Sequence, residues 1–387
     1  MRGRSHQVTD QAWNMRVVGH IDFDGTGDCM HVNIKGGVAF VAHQNGGTSI
    51  VDIRDPSEPR RVGYLPVPPN THSHKVQIVG DVLLVNRERR SDAITPEPWL
   101  AGLSVFDIHD PFRPREIAYW PCGGRGVHRM TYWEEPYAYV TAGSPDFSGQ
   151  FLVILDLSNP AVPREVGRWW LPGMKNGEED ARSWSDGSSV QLHHGLPRGD
   201  RLYCGWWDAG LVILDTSSKL QPQLISHVEL DKVDGPSICT HTACPLPGRD
   251  VLVVTDECVE EPPRIEYQVR LIDIADEQNP KVISRLPVPE GDFLTRGGRF
   301  GPHNVHEYRP GSYQDGNRVF LAYFNAGVRV YDVRDPARPK EIAYCIPKAP
   351  PGSSAIQIND ILVDADGLIY ATDRLAGGLY IMEMDGI

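Results

Sequence analysis

Val51-Asp52-Ile53-Arg54-Asp55-Pro56-Ser57-Glu58-Pro59-Arg60-Arg61-Val62-Gly63-Tyr64-Leu65 is an apolar strand ending in an acid, a tight Asp-Pro-x-x-Pro turn and a strand running back. The phrase recurs at Phe106-Asp107-Ile108 with Asp110-Pro111, at Leu155-Asp156-Leu157 with Asn159-Pro160, and in a degenerate form at Leu214-Asp215 with Pro222. Two more copies stand at Ile272-Asp273-Ile274 with Asn279-Pro280 and at Tyr331-Asp332-Val333 with Asp335-Pro336. The strand acids lie 55, 49, 59, 58 and 59 residues apart. A period of that size, built from short strands and Pro/Gly turns, marks a β-propeller.

Arg16-Val17-Val18-Gly19-His20-Ile21 matches the returning strand of this phrase but follows no turn. The last unit has the opposite defect: its third strand, Leu379-Tyr380-Ile381-Met382-Glu383, puts Glu383 where the acid belongs, and no fourth strand follows. The expectation is an all-β, seven-bladed β-propeller over residues 14–387, closed by the N-terminal strand, with residues 1–13 as a flexible arm. The first strands of the seven units start near Met30, His74, His128, His193, His241, His306 and Asp360.

A length of 387 residues suggests two or three domains, but a closed repeat architecture absorbs the whole chain as one. The net charge of −13 argues against a nucleic-acid partner, whose phosphates call for a basic surface. No apolar run approaches the roughly 18 residues of a membrane helix, and no apolar segment follows the N-terminal charges to make a secretory signal. Seven cysteines without a framework fit reduced thiols in a cytoplasmic protein. Arg87-Glu88-Arg89-Arg90 reads as a solvated loop.

Ser49-Ile50-Val51-Asp52-Ile53, Leu152-Val153-Ile154-Leu155-Asp156 and Leu211-Val212-Ile213-Leu214-Asp215 resemble the repeat of the LVIVD-repeat propellers. The resemblance spans nearly the whole chain, implies a propeller and leaves the chemistry open.

Chemistry is suggested by the histidines. Nine of the 14 (His31, His72, His74, His128, His193, His194, His241, His303 and His306) fall at or just before the first strands. First strands line the channel of a propeller, so matching positions converge on its axis. His74, His128 and His193 each stand six residues before a turn, and His193, His241 and His306 share His-x-x-x-Pro. A lone channel histidine is an ordinary hydrogen-bonded filler, whereas five in register are not something packing demands. His74, His128, His193, His241 and His306 are therefore the candidate ligands of one divalent first-row metal (iron, manganese or zinc). Three or four are expected to bind, the rest orienting water, substrate or carboxylates. His31 falls out of register; His72, His194, His303 and Asp360 carry no assigned role. Asp256, Glu257 and Asp373 end second strands on the same rim and are the candidate acid/base groups. Trp206-Trp207 is a candidate aromatic wall. The favoured reading is a metal-dependent enzyme of oxygenase or lyase type acting on a small organic substrate. Its alternative is a non-catalytic interaction scaffold.

Overall fold

The computed structural model describes residues 9–90, 98–185, 187–230, 239–263 and 267–386. Apart from two three-residue 3-10 turns, the regular elements among these residues are strands in six hydrogen-bonded sheets. Cys29–Lys35, Val38–His43, Thr48–Asp52 and Arg60–Leu65 make an antiparallel meander, the plan that every unit follows. The second and third units are joined into one nine-stranded sheet by the Gly126–Glu88 pair. In the sixth unit the inner segment 303–306 runs beside Arg318–Ala322, with the His303 and His306 amides donating to Ala322 and Phe320 carbonyls, both at 2.9 Å.

The repeated acid has a local task. The carboxylates of Asp52, Asp107, Asp156, Asp215, Asp273 and Asp332 each accept the backbone N–H two residues on, at 2.8–3.1 Å, so each starts the turn that reverses the chain. This is the Asx geometry that makes aspartate a turn former. The next Asx residue repeats it at Asp55, Asp110, Asn159 and Asp335. In the fifth copy the residue that does so is Asp276 and not Asn279, which aligns with Glu58.

Each pairing of a third strand with its returning strand skips one residue at the same place. The extra residue is Val62, Ile117, Val166, Ile225, Ile283 or Ile342. A one-residue bulge bends the strand and raises its twist. Met15–Ile21 pairs antiparallel with Gly378–Met384 and carries the same bulge at Val18. Glycine follows the bulge at Gly19, Gly63 and Gly167. A Cβ on Gly19 would lie 1.8 Å from the Pro56 carbonyl oxygen, and one on Gly167 1.9 Å from that of Lys219. Both glycines thus admit the turn of another unit.

Residues 9–13, expected within a flexible arm, form a strand that pairs with Lys340–Pro347. The free edge of the sixth sheet accepts its backbone groups, an outlet that composition does not reveal. Residues 1–8 lie outside the described residues. Third strands such as Leu152–Leu155 and Leu211–Leu214 are buried on both faces between neighbouring sheets, which explains their unbroken apolar runs. None of the cysteines is in a disulfide. No helix among the described residues is long and apolar enough to cross a membrane.

Candidate metal centre

First strands bring their leading histidines together in an unbroken series. Ring centroids are 4.3 Å apart for His72–His74, 5.0 Å for His74–His128, 5.0 Å for His128–His193, 3.6 Å for His193–His241 and 4.3 Å for His241–His303. Two buried carboxylates face them. Glu88 Oε2 is 3.2, 3.7 and 3.0 Å from His72, His74 and His128. Glu257 is 3.8 Å from His241 and 3.6 Å from His303. His193, His241 and Glu257, all buried, present ligand atoms within 4.8 Å of one another, as do His72, His74 and Glu88.

Hydrogen-bond partners assign the tautomers. His303 Nδ1–H donates to the Asn359 carbonyl at 2.5 Å, which leaves its Nε2 as a lone pair opposite Glu257, whereas His72 is hydrogen-bonded at both ring nitrogens, to the Gln44 carbonyl at 2.8 Å and to Glu88 at 3.2 Å. Two acceptors face one another at His303 and Glu257, and only a cation or a proton between them relieves the repulsion. His241 Nε2 has no hydrogen-bond partner. His194 Nε2 lies 3.4 Å from Glu307, an ion-pair contact too poorly aligned to satisfy it as a hydrogen bond. The carboxylate favours a proton on that Nε2, so His194 Nδ1 accepts from His193 Nδ1–H at 3.0 Å and His193 Nε2 is left as a lone pair. His74 is different. The Asn86 amide, oriented by Lys75 N–H on its oxygen and by the Val127 carbonyl, donates to His74 Nδ1 at 3.0 Å. The proton of His74 then sits on Nε2, directed at Glu88, and a metal on that nitrogen would take the proton's place.

Burial, more than any neighbour, lowers the His193, His241 and His303 imidazoles well below their ordinary value. They are neutral at physiological pH, the form that binds metal. Burial alone would raise Glu88, but His128 and His72 more than reverse this and hold its carboxyl below the usual range.

Several expected residues stand elsewhere. His306 is fully buried behind the channel, its Nε2–H donating to the Tyr313 carbonyl at 2.9 Å and its Nδ1 accepting from Val363 N–H at 3.2 Å. Side chains three residues apart on a strand face opposite ways, so His303 takes the channel position; the His-x-x-x-Pro match of His306 is a coincidence of the longer loop after it. Asp256 is spent on Arg270 at 2.7 Å and Gln268 N–H at 3.1 Å. Asp373 accepts the backbone N–H groups of Gln357, Leu375 and Gly377 at 2.6–3.1 Å, and burial pushes it up to about 6. Both fasten loops and neither reaches the histidines; of the three expected acid/base residues only Glu257 does. Arg87 and Glu88, read as a solvated loop, are buried at the end of strand Val82–Arg89, with Arg87 bonded to Ser104 Oγ at 2.9 Å. Trp207 stacks on His193 at 5.7 Å as an aromatic wall, while Trp206 packs against Trp169.

Deeper along the axis lies a second layer. Arg129 pairs with Glu307 and donates to Asn304 Oδ1 at 3.1 Å; Asn304 donates to Asp360 at 2.7 Å, which also accepts Val32 N–H at 3.0 Å. Lys75, buried here, is driven down to about 7 chiefly by burial and then by Arg129. Removing one partner of a buried pair strands the other, at about 3–5 kcal/mol. Arg129→Met is accordingly expected to lose about that much in urea denaturation, and a loss below about 1 kcal/mol would be the size of a surface pair instead.

His306 gives a pH signature. Burial lowers it to about 4, whereas an unfolded histidine titrates near 6.5. The unfolded chain therefore binds the extra proton first, and stability falls as pH drops from about 6.5 towards 4, by on the order of 3 kcal/mol from this residue. Urea denaturation of His306→Gln across that range is expected to show a correspondingly smaller fall; an unchanged slope would remove His306 as the cause.

The LVIVD repeat pattern matches residues 26–65, 134–170 and 198–229, the stretches containing the first, third and fourth acid-ended strands. The chain carries LVIVD repeats in these three stretches. Solved propellers share the fold of the LVIVD-repeat chain. The C-terminal WD40 domain of Sif2 superposes with a TM-score of 0.59 at 9% identity, covering 96% of this chain and 99% of that one. The β-propeller domain of Cps50 (Swd1) from Myceliophteria thermophila gives 0.57 at 14% identity, covering 92% and 96%. The N-terminal domain of Nup159 gives 0.56 at 11%, covering 97% and 96%. At these identities the likeness is one of fold alone. No curated protein matches the sequence.

Proposed function

We propose that this LVIVD-repeat chain is a cytoplasmic, metal-dependent enzyme of oxygenase or lyase type. Its divalent first-row ion (iron, manganese or zinc) is held on the propeller axis by His193, His241, His303 and Glu257. The observation that carries the reading is the set of imidazole Nε2 atoms, one without a partner and one confronting a carboxylate, gathered at a buried glutamate. Ligand atoms bound at about 2.1 Å to one ion lie about 3.0–3.4 Å apart, close to the 3.6 and 3.8 Å found. Such an ion supplies Lewis acidity towards a carbonyl or hydroxyl, or a place for O₂. Glu88, with His72 and His128, lines the opposite wall as a fixed negative charge.

The scaffold is read as seven blades, the seventh completed by Met15–Ile21. What supports this is the bulge at Val18, in step with the six other returning strands, and the contact of Gly19 with the first unit's turn at Pro56. Asn359 Nδ2, in the seventh unit, also donates to the Met30 carbonyl of the first at 2.7 Å.

Elemental analysis after incubation of the chelated protein with each of the three metals, followed by desalting, tests the centre. About one retained ion per chain is expected. Protein that retains none of them leaves the axial histidines as channel filler and the scaffold reading in place.

A further inference from the structure

Beside the histidine centre lies a cavity of about 420 Å³, lined among others by Gln44, Glu261, Arg299, Ser354, Gln357 and Arg374. It touches the centre on two sides. The Gln44 carbonyl accepts from His72, and Arg299 Nη1 donates to Glu257 at 3.1 Å, the carboxylate that faces His241 and His303. Between the cavity's arginines and the centre stands Phe324: the guanidinium carbons of Arg299 and Arg374 are each 5.7 Å from its ring, and the His303 ring is 4.9 Å from it.

Arg374 is the anomaly. Its backbone N–H is bonded to the Gln357 carbonyl at 3.0 Å, but its guanidinium forms no hydrogen bond or ion pair with the described residues. Burial first, and then the like charge of Arg299, push it down to about 10. The acids nearby do not answer it: Glu257 is engaged by Arg299, Asp373 by backbone amides, and Glu261 stands exposed at the mouth. The loop is shaped for this approach. Gly298 has φ 69°, and a Cβ there would lie 2.2 Å from Gln357 Nε2, so glycine alone lets the loop bring Arg299 in. Two cations held together in a partly buried cavity, one without a counter-charge, are costly unless a ligand supplies the anion. A planar guanidinium fork matches a carboxylate.

We propose that Arg299 and Arg374 form a subsite for the carboxylate of a small organic anion, and that such anions are the substrate class of the histidine centre. The second clause rests on the metal-enzyme reading; the binding subsite does not. A carboxylate anchored there directs the remainder of a small molecule past Phe324 towards Glu257 and the imidazoles.

Calorimetric titration with acetate and benzoate, and with benzamide as the neutral counterpart of benzoate, tests the proposal on metal-loaded and chelated full-length protein. At least one carboxylate is expected to bind both forms while benzamide does not. Arg374→Gln is expected to weaken binding about 10- to 100-fold, with metal content and melting temperature unchanged, because that guanidinium makes no bond the fold relies on. Arg374→Lys, which keeps charge without the fork, is expected to fall between. Uptake of neither carboxylate, or equal affinity in Arg374→Gln, overturns the subsite. Binding that vanishes on chelation yet survives Arg374→Gln assigns the anion to the metal, which overturns the subsite and leaves the metal reading standing. Binding through Arg374 in a protein that retains no metal keeps the subsite and sinks the metal reading alone.

Discussion

His241→Ala and Glu257→Gln are each expected to lower metal affinity by at least about 100-fold, since even outer-shell changes at metal sites cost 10- to 100-fold. His306→Ala is expected to leave it unchanged. The contrast follows from where the three side chains point. His241 Nε2 and the Glu257 carboxylate face each other across 3.8 Å and that nitrogen forms no hydrogen bond, while both ring nitrogens of His306 are satisfied by backbone groups. His241 is fully buried among polar groups at a strand start and not in the apolar core between sheets, so its loss need not unfold the chain. Circular dichroism beside metal analysis separates the two effects. A His241→Ala protein that keeps both its metal and its fold removes the ion from the position assigned to it. One in which His306→Ala releases the metal restores the His-x-x-x-Pro register as the true one.

That register shows where a sequence can and cannot speak. The acid-ended strand and its turn are local objects, each settled by one carboxylate and the amide two residues on, so their period in the chain reports the repeat directly. The channel histidines are also near-local: His74, His193 and His241 stand within two residues of a first-strand start and His128 midway along Gly123–Glu134, and their neighbours in the ring series follow the order of the chain. His303 was obscured by a loop-length change, because 303–306 is held by hydrogen bonds to Arg318–Ala322 that no fixed offset from a turn predicts. Glu88 was hidden for another reason. Flanked by three arginines, it reads as solvated, and the non-local arrival of His72, His128, Gln150 and Arg125 makes its burial tolerable. One signal was available, the alternating pair His72 and His74 fourteen to sixteen residues before it, which places two imidazoles and a carboxylate at the near ends of adjacent strands.

The acid/base expectations failed on the same ground. Asp256 and Asp373 do end second strands on the rim, as Glu257 does after its own. What decides their roles is the number of backbone and arginine donors each collects, three amides in the case of Asp373. A carboxylate whose lone pairs are already spent on loop closure is a turn in all but name, and one left facing only imidazoles and a single arginine is available for chemistry.

Deleting residues 1–21 is expected to remove most or all of the stability of the whole molecule, not of one edge. This segment serves two sheets in succession. Thr9–Trp13 pairs with Lys340–Pro347, Asn14 turns at φ 51° with its amide on the Ile342 carbonyl at 3.0 Å, and Met15–Ile21 pairs with Gly378–Met384. Met15 and Val17 are buried in the largest apolar cluster, and burying side chains of this size contributes about 1.5–3 kcal/mol each. Together with the lost ladder bonds, at about 1 kcal/mol apiece, the deficit is of the same size as the roughly 5–15 kcal/mol by which a domain is stable. It also bares a strand edge open to pairing with other chains. Aggregation alone would not identify the cause, so the decisive variant returns the strand from the other end. Because Met15–Ile21 runs antiparallel to Gly378–Met384, with the Asp385 amide already bonded to the Asn14 carbonyl at 3.0 Å, residues 9–21 can follow residue 386 through a glycine linker long enough to run back along Thr9–Trp13, roughly 16 Å. The permuted chain, starting at Asp22, is expected to recover the melting temperature to within a few degrees of the full-length protein. A truncated chain that melts where the parent does would show that the N-terminal strand merely rests on the sheet, and a permuted chain that stays unfolded would break the assignment of that strand as the outer member of the last sheet.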